Sequence, residues 1–219
     1  MLAILQDAVR AATGSDTIVS CEVVQTLWSG YGQILRVGID DGDRGSVIVK
    51  HVAPPTQANH PRGWATDHSH QRKLQSYRVE ACWYSGWSDR CSSACRVPEC
   101  LLVDQRDDQT IFVMEDLNAA GFSQRRSSLD LATIKTCLRW LASFHATFLG
   151  EAPTGLWPTG TYWHLDTRPD EWDAMETGPL KCAAKQIDQA LAASAFQTIV
   201  HGDAKIANFC FADQGQGVA

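Results

Sequence analysis

The stretch from Ile199 to Phe211 limits the possible folds of this chain more than any other. It reads Ile-Val-His-Gly-Asp-Ala-Lys-Ile-Ala-Asn-Phe-Cys-Phe, with two β-forming apolar residues, a run of polar side chains and a second apolar run. That pattern predicts a strand ending in a loop that carries His201, Asp203 and Asn208, and a second strand leaving it. An isolated His-x-Asp is most often an Asx-type turn, so the weight falls on the spacing between Asp203 and Asn208.

Phosphoryl transfer asks for positioning and charge control more than for covalent work. A carboxylate accepts a hydrogen bond from the attacking hydroxyl, and an amide oxygen five residues on helps to hold Mg²⁺ on the nucleotide. Asp203 and Asn208 have that spacing, with Gly202 where protein kinases carry Arg. The stretch resembles the catalytic loop of the aminoglycoside phosphotransferase and choline kinase superfamily. Within it, His-Gly-Asp-Ala-Lys-x-Ala-Asn-Phe is most similar to the ecdysteroid-kinase-like (CHK-kinase-like) branch. The resemblance implies an α+β, protein-kinase-like two-lobed fold: an N-terminal antiparallel sheet with a helix, then a mainly helical lobe. It also implies ATP-dependent phosphorylation of a small-molecule hydroxyl with Mg²⁺. In that plan Asp203 orients and deprotonates the hydroxyl, Asn208 binds the metal and His201 braces the loop.

Composition narrows the field. A chain of 219 residues, 44% hydrophobic, can bury a core as one large domain or as two lobes sharing a cleft. With a formal net charge of −6 and no basic run, it is not expected to bind nucleic acid. The eight cysteines include no Cys-x-x-Cys pair, and several sit in apolar patterns, which predicts reduced thiols. Cys91, Cys95 and Cys100 lack regular zinc-ligand spacing. Residues 1–10 carry no basic n-region, and no apolar run approaches the roughly 20 residues that span a bilayer. The expectation is a soluble, cytoplasmic protein with no membrane partner.

Leu2, Leu5, Val9 and Ala12 predict an opening helix that stops at Gly14. Strands are expected over 17–27, 33–39 and 46–52, with Trp28-Ser29-Gly30-Tyr31-Gly32-Gln33 between the first two. Gly-x-Gly there is either a plain hairpin turn or a turn whose N–H groups approach phosphates. Lys50 follows Val47-Ile48-Val49, close to the V-A-I-K arrangement in which a strand lysine grips the α- and β-phosphates; the competing reading is a solvated edge lysine. After a polar loop over 54–70, Leu74, Tyr77, Ala81 and Tyr84 mark a helix with Glu80 on the same stripe. An inward carboxylate needs a cation, so Glu80 is paired with Lys50; otherwise it lies at the edge of the stripe and reaches solvent. His51, His60, His68 and His70 are expected in solvent.

Strands over 97–103 and 110–114 are joined by a turn at 104–109. Met114-Glu115-Asp116-Leu117 then resembles the superfamily hinge, which implies that the Glu115 carbonyl and the Leu117 N–H meet the adenine edge and that side-chain identity matters little there. The resemblance divides the chain into a nucleotide-binding lobe, 1–117, and a partial helical lobe with the catalytic loop, 118–219. A helix over 129–149 has Ile134, Leu138, Leu141, His145 and Phe148 on its stripe, with His145 read as structural. Trp157, Tyr162, Trp163, His164, Asp166, Asp170, Glu171, Trp172 and Asp173 crowd the irregular segment 150–176. This segment either lines a pocket for a cationic or amphipathic alcohol or is a connector whose tryptophans plug the lower lobe. A last helix is expected over 181–193.

In the family, an Asp on the strand after the loop shares the metal with Asn208. Here eleven residues follow Asn208, and the acid among them, Asp213, lies in a turn signature, Ala-Asp-Gln-Gly. The expectation is a C-terminally truncated chain covering about the first two thirds of the fold, with lowered activity. The alternative is an inactive fragment or pseudokinase that binds nucleotide or a partner. A remoter reading makes His201 and Asp203 ligands of a hydrolytic metal, for which no third ligand is suitably spaced. The acceptor alcohol and the oligomeric state are left open.

Overall fold

The computed structural model describes residues 2–27, 30–40, 44–55, 67–106, 108–160, 165–215 and 217–219. The expectations for Trp28, Ser29, His60, Tyr162, Trp163 and His164, and for the side chain of His68, lie outside them. The chain is a mixed α+β structure: α1 (Leu2–Thr13), β1 (Ile18–Thr26), β2 (Gly32–Ile39), β3 (Ser46–Val52), α2 (Asp67–Gly86), β4 (Cys100–Arg106), β5 (Gln109–Glu115), α3 (Leu131–Thr147), α4 (Pro169–Ala174) and α5 (Pro179–Ala192). The five strands form one antiparallel sheet in the order β1-β2-β3-β5-β4. A five-stranded antiparallel sheet followed by helices is consistent with a kinase-like fold.

The two-residue period of a strand sorts side chains onto opposite faces. Val47 and Val49 of β3, with Ile111 and Val113 of β5, meet Leu5, Ala8 and Val9 of α1. Val52, Phe112 and Met114 point the other way, onto Tyr77 and Ala81 of α2. Lys50 shares parity with Val52, so strand geometry turns it toward α2.

Helix α2 also serves a second cluster. Trp83 stands 5.5 Å from both Phe144 and Phe148, and Trp140 stacks on Phe144 at 5.3 Å. Cys137, Trp140, Phe144 and Phe148 form the buried side of α3 and its end, joined by Trp87, Cys95, Phe209, Phe211 and Val218. Fully burying each such ring contributes about 1.5–3 kcal/mol. One helix thus packs on both the sheet and α3.

Several expectations are corrected. The α3 stripe is displaced: Ile134 and Leu138 are exposed while Cys137, Trp140 and Phe144 are buried. The helix begins at its cap, Asp130, whose carboxylate accepts from the Thr133 N–H at 2.8 Å. No strand flanks the polar loop among the described residues; only isolated bridges join Leu149 to Thr198 and Phe211 to Gln124 and Val218. Strands β4 and β5 run further toward each other than expected, pairing Arg106 with Gln109. Helix α2 starts at Asp67, inside the expected loop. The segment 150–176 contains α4, and the last helix begins at Pro179. All eight cysteines are free, and no helix among the described residues is long and apolar enough to cross a membrane.

Candidate functional site

Lys50 Nζ donates to both oxygens of Glu80, at 2.6 and 2.7 Å. The side chains are 15% and 27% exposed, so water screens this pair less than a surface ion pair. The ammonium also lies 5.5 Å from the Tyr77 ring centroid and 5.8 Å from that of Phe112. Of the two readings that the sequence allows for each residue, the inward one holds for both.

The turn before β2 is fixed by backbone bonds: Leu27 N–H donates to Gly32 O at 2.8 Å, and Gly30 N–H to Leu27 O at 3.2 Å. Gly30 has φ +74° and Gly32 φ +134°; a Cβ on Gly32 would stand 1.9 Å from His51 O. Close backbone approach across β2 and β3 therefore demands glycine at 32 whatever binds there. Tyr31 is buried, and its hydroxyl pairs with His70 Nδ1 at 2.6 Å. His51 Nε2 pairs with Gln109 Oε1 at 2.8 Å. Both histidines are half-buried, which corrects the expectation of solvent exposure. Helical spacing from Glu80 back through Tyr77 to Lys73 and His70 is the signal that would have found the further polar groups on this face.

Glu115 accepts from Arg96 Nη2 at 2.6 Å and Nη1 at 3.1 Å, and from the Glu99 N–H at 3.1 Å. Burial pushes its pKa up, but these bonds and the Arg96 and Arg44 charges outweigh it and hold the carboxyl below its usual range. Asp116 is bound by Arg36, Ser46 and the Asn118 N–H. Both acids thereby tie the segment after β5 to other elements, so their side chains matter to the fold whatever the backbone there recognises. Leu117 is buried, and its carbonyl accepts from Phe122 N–H at 2.8 Å. Its own N–H meets no acceptor among the described residues.

In the polar loop, Asn208 Nδ2 donates to Asp203 Oδ2 and to Asp203 O, both at 2.8 Å. This cross-link uses the amide nitrogen and leaves Oδ1, the atom suited to a hard cation. Lys205 Nζ lies 3.0 Å from Asp203 Oδ2, a contact that the sequence reading missed. The Asp203 side chain is nevertheless 57% exposed. Asp203 N–H donates to His201 Nδ1 at 3.2 Å, while the His201 ring stands edge-on to Trp140 at 5.9 Å and Phe144 at 6.3 Å. Desolvation beside those rings lowers the His201 pKa; Asp203 opposes this and His145 adds to it.

The two groups of residues are linked by packing. Glu80 and Trp83 lie on α2, Trp83 meets Phe144 of α3, and Trp140 of α3 meets His201. The segment 150–176 turns Glu171 toward Arg72 of α2 at 3.1 Å and toward Arg168, so this acid is already engaged by cations. Asp213 accepts from Ser123 N–H and Oγ, as a turn residue. Among the described residues no group of three or more His, Cys, Asp or Glu side chains is placed to hold a metal ion. The donor set at 203 and 208 suits Mg²⁺ shared with phosphates rather than an all-protein cage.

A comparison with curated proteins found no match. A family model does match, over a segment that opens at the end of α2, takes in β4, β5 and α3, and contains Glu115 and Leu117. Residues 85–149 match the model of the Ecdysteroid kinase-like (EcKL) family.

Proposed function

We propose that the chain is an ATP-dependent phosphotransferase of protein-kinase-like fold that phosphorylates the hydroxyl of a small molecule, possessing a nucleotide-binding lobe at 1–117 and a helical lobe with the catalytic loop at 118–219. The family segment implies a kinase-like small-molecule phosphotransferase. The observation that carries the reading is the Lys50 to Glu80 pair, because an inward strand lysine oriented by a helix glutamate is what phosphate gripping requires. Lys50 holds the α- and β-phosphates, and Glu80 fixes its direction. The Gly30-Tyr31-Gly32 turn covers them, and the Leu117 N–H, which meets no acceptor among the described residues, takes the adenine edge together with the Glu115 carbonyl. Mg-ATP supplies the phosphoryl group. Asn208 Oδ1 holds the metal, Asp203 accepts the proton of the attacking hydroxyl, and His201 braces the loop through the Asp203 N–H. The acceptor is an alcohol, cationic or amphipathic in character.

Incubation with Mg-ATP and a panel of amino-alcohols, sugars and sterol-like alcohols tests this. Transfer to one class is expected, falling at least about 10²-fold in Asp203→Asn. No transfer to any acceptor sinks the enzymatic claim, and transfer undiminished in Asp203→Asn sinks the role of Asp203. The second reading, a nucleotide binder without catalysis, is favoured by the Lys205 ammonium already sitting on Asp203 Oδ2. It predicts thermal stabilisation by ATP that is the same with and without Mg²⁺.

A further inference from the structure

Helix α2 carries His70, Lys73, Tyr77 and Glu80 at spacings of three, four and three, so they share one face. His70 meets the Tyr31 hydroxyl, Tyr77 lies in the core, and Glu80 has both oxygens on Lys50. Lys73 is half-buried, with its ammonium 5.4 Å from the Tyr77 ring centroid and 5.9 Å from that of Tyr31. No acid among the described residues forms an ion pair with it, and Glu80, whose charge acts on it, is already held by Lys50. Lys50 lies over the same Tyr77 ring at 5.5 Å. Two ammoniums therefore lie by one ring while Glu80 is bonded to Lys50 alone, which leaves the group Lys50, Lys73 and Glu80 with one positive charge in excess.

That excess has a cost. Desolvation lowers the Lys73 pKa, Lys50 lowers it further, and Glu80 only partly compensates. A partly desolvated cation beside another cation is stabilised by an anion that enters between them. The adjoining Tyr31 belongs to the turn that precedes β2, so the anion would sit where that turn, β3 and α2 meet.

We propose that Lys73 is a second phosphate-binding ammonium, set on α2 by the same Tyr77 ring as Lys50, so that a nucleotide's polyphosphate is held by two cations, of which Glu80 orients one. This rests on the reading of Lys50 as a phosphate ligand. Charge count then governs affinity: ligands with several phosphates engage both ammoniums, whereas a monophosphate engages one.

Calorimetric titration of the full chain with ATP, AMP and inorganic tripolyphosphate tests the assignment. Lys73→Met is expected to weaken ATP and tripolyphosphate about tenfold or more, and AMP less than about threefold. Lys73→Arg, which keeps the charge, should stay within about threefold of the parent for all three. Without ligand, Lys73→Met should melt no lower than the parent, because repulsion from Lys50 is removed. Lys73→Gln is the second variant should the first misfold. Parent-like ATP binding in these variants, or an equal loss for AMP, overturns the role of Lys73 and leaves the nucleotide reading standing. Tripolyphosphate binding that depends on Lys73, in a chain that ignores ATP, keeps Lys73 and removes the nucleotide reading. Binding of neither removes both.

Discussion

Asp116 Oδ2 accepts hydrogen bonds from Arg36 Nε at 2.7 Å and from Ser46 Oγ at 2.8 Å, which ties the segment after β5 to β2 and β3. The Asp116 side chain is 4% exposed, so its charge depends on these partners. Burial raises its pKa, but the bonds from Arg36, Ser46 and the Asn118 N–H prevail and leave the carboxyl below its usual value.

A depressed carboxyl pKa contributes stability that is present above the unfolded value, about 3.9, and lost as pH falls through the folded one. Asp116→Asn should therefore flatten the acid limb of the stability curve, and Asp116→Ala should cost about 3 kcal/mol near neutrality. Urea melts between pH 2 and 7 measure both. An unchanged acid limb in Asp116→Asn contradicts the assignment.

His201 gives the opposite chemistry with the same direction of pH dependence. Its folded pKa lies below the unfolded value, about 6.5, so its contribution is full above that value and is lost as pH falls toward the folded pKa. Protonation of Nδ1 also ends its acceptance from the Asp203 N–H. The protection of the Asp203 amide, its exchange rate relative to the intrinsic rate at the same pH, should fall on acidification below the ordinary histidine range in the parent chain. In His201→Gln the rate should follow only the intrinsic pH dependence.

The phase of α3 is open to a direct comparison. Phe148→Ala removes a ring that is 0% exposed and should cost about 3–5 kcal/mol. Leu138→Ser removes an isobutyl group that is 56% exposed and should change stability by less than about 0.5 kcal/mol. Thermal denaturation of the two variants checks this, and equal losses would mean that the helix is rotated.

Two glycines separate local fold from ligand contact. Gly32→Ala places a Cβ 1.9 Å from His51 O and should destabilise the chain with or without nucleotide, by about 2 kcal/mol or more. Gly30→Ala meets nothing within 4 Å and carries only the strain of φ +74°, about 1 kcal/mol. Comparing melting temperatures with and without ATP shows whether the remaining effect of Gly30→Ala is on binding.

Periodicity alone determined a good deal of this protein. A two-residue repeat in β3 and a helical repeat through Tyr77, Glu80, Ala81 and Tyr84 are enough to bring Lys50 and Glu80 face to face, because each repeat is fixed by backbone geometry. Tertiary structure decided the rest. Helix α3 is apolar on both sides, with Leu131, Ile134 and Leu138 against Cys137, Trp140 and Phe144, so no pattern within it selects the face that Trp83 and Phe209 cover. Residues 199–200 read as a strand, yet a strand exists only where a neighbour completes its ladder, and Thr198 finds just one bridge, to Leu149. The Arg36 to Asp116 bond joins side chains 80 positions apart, a separation across which local sequence carries no signal and only the closed sheet sets the distance.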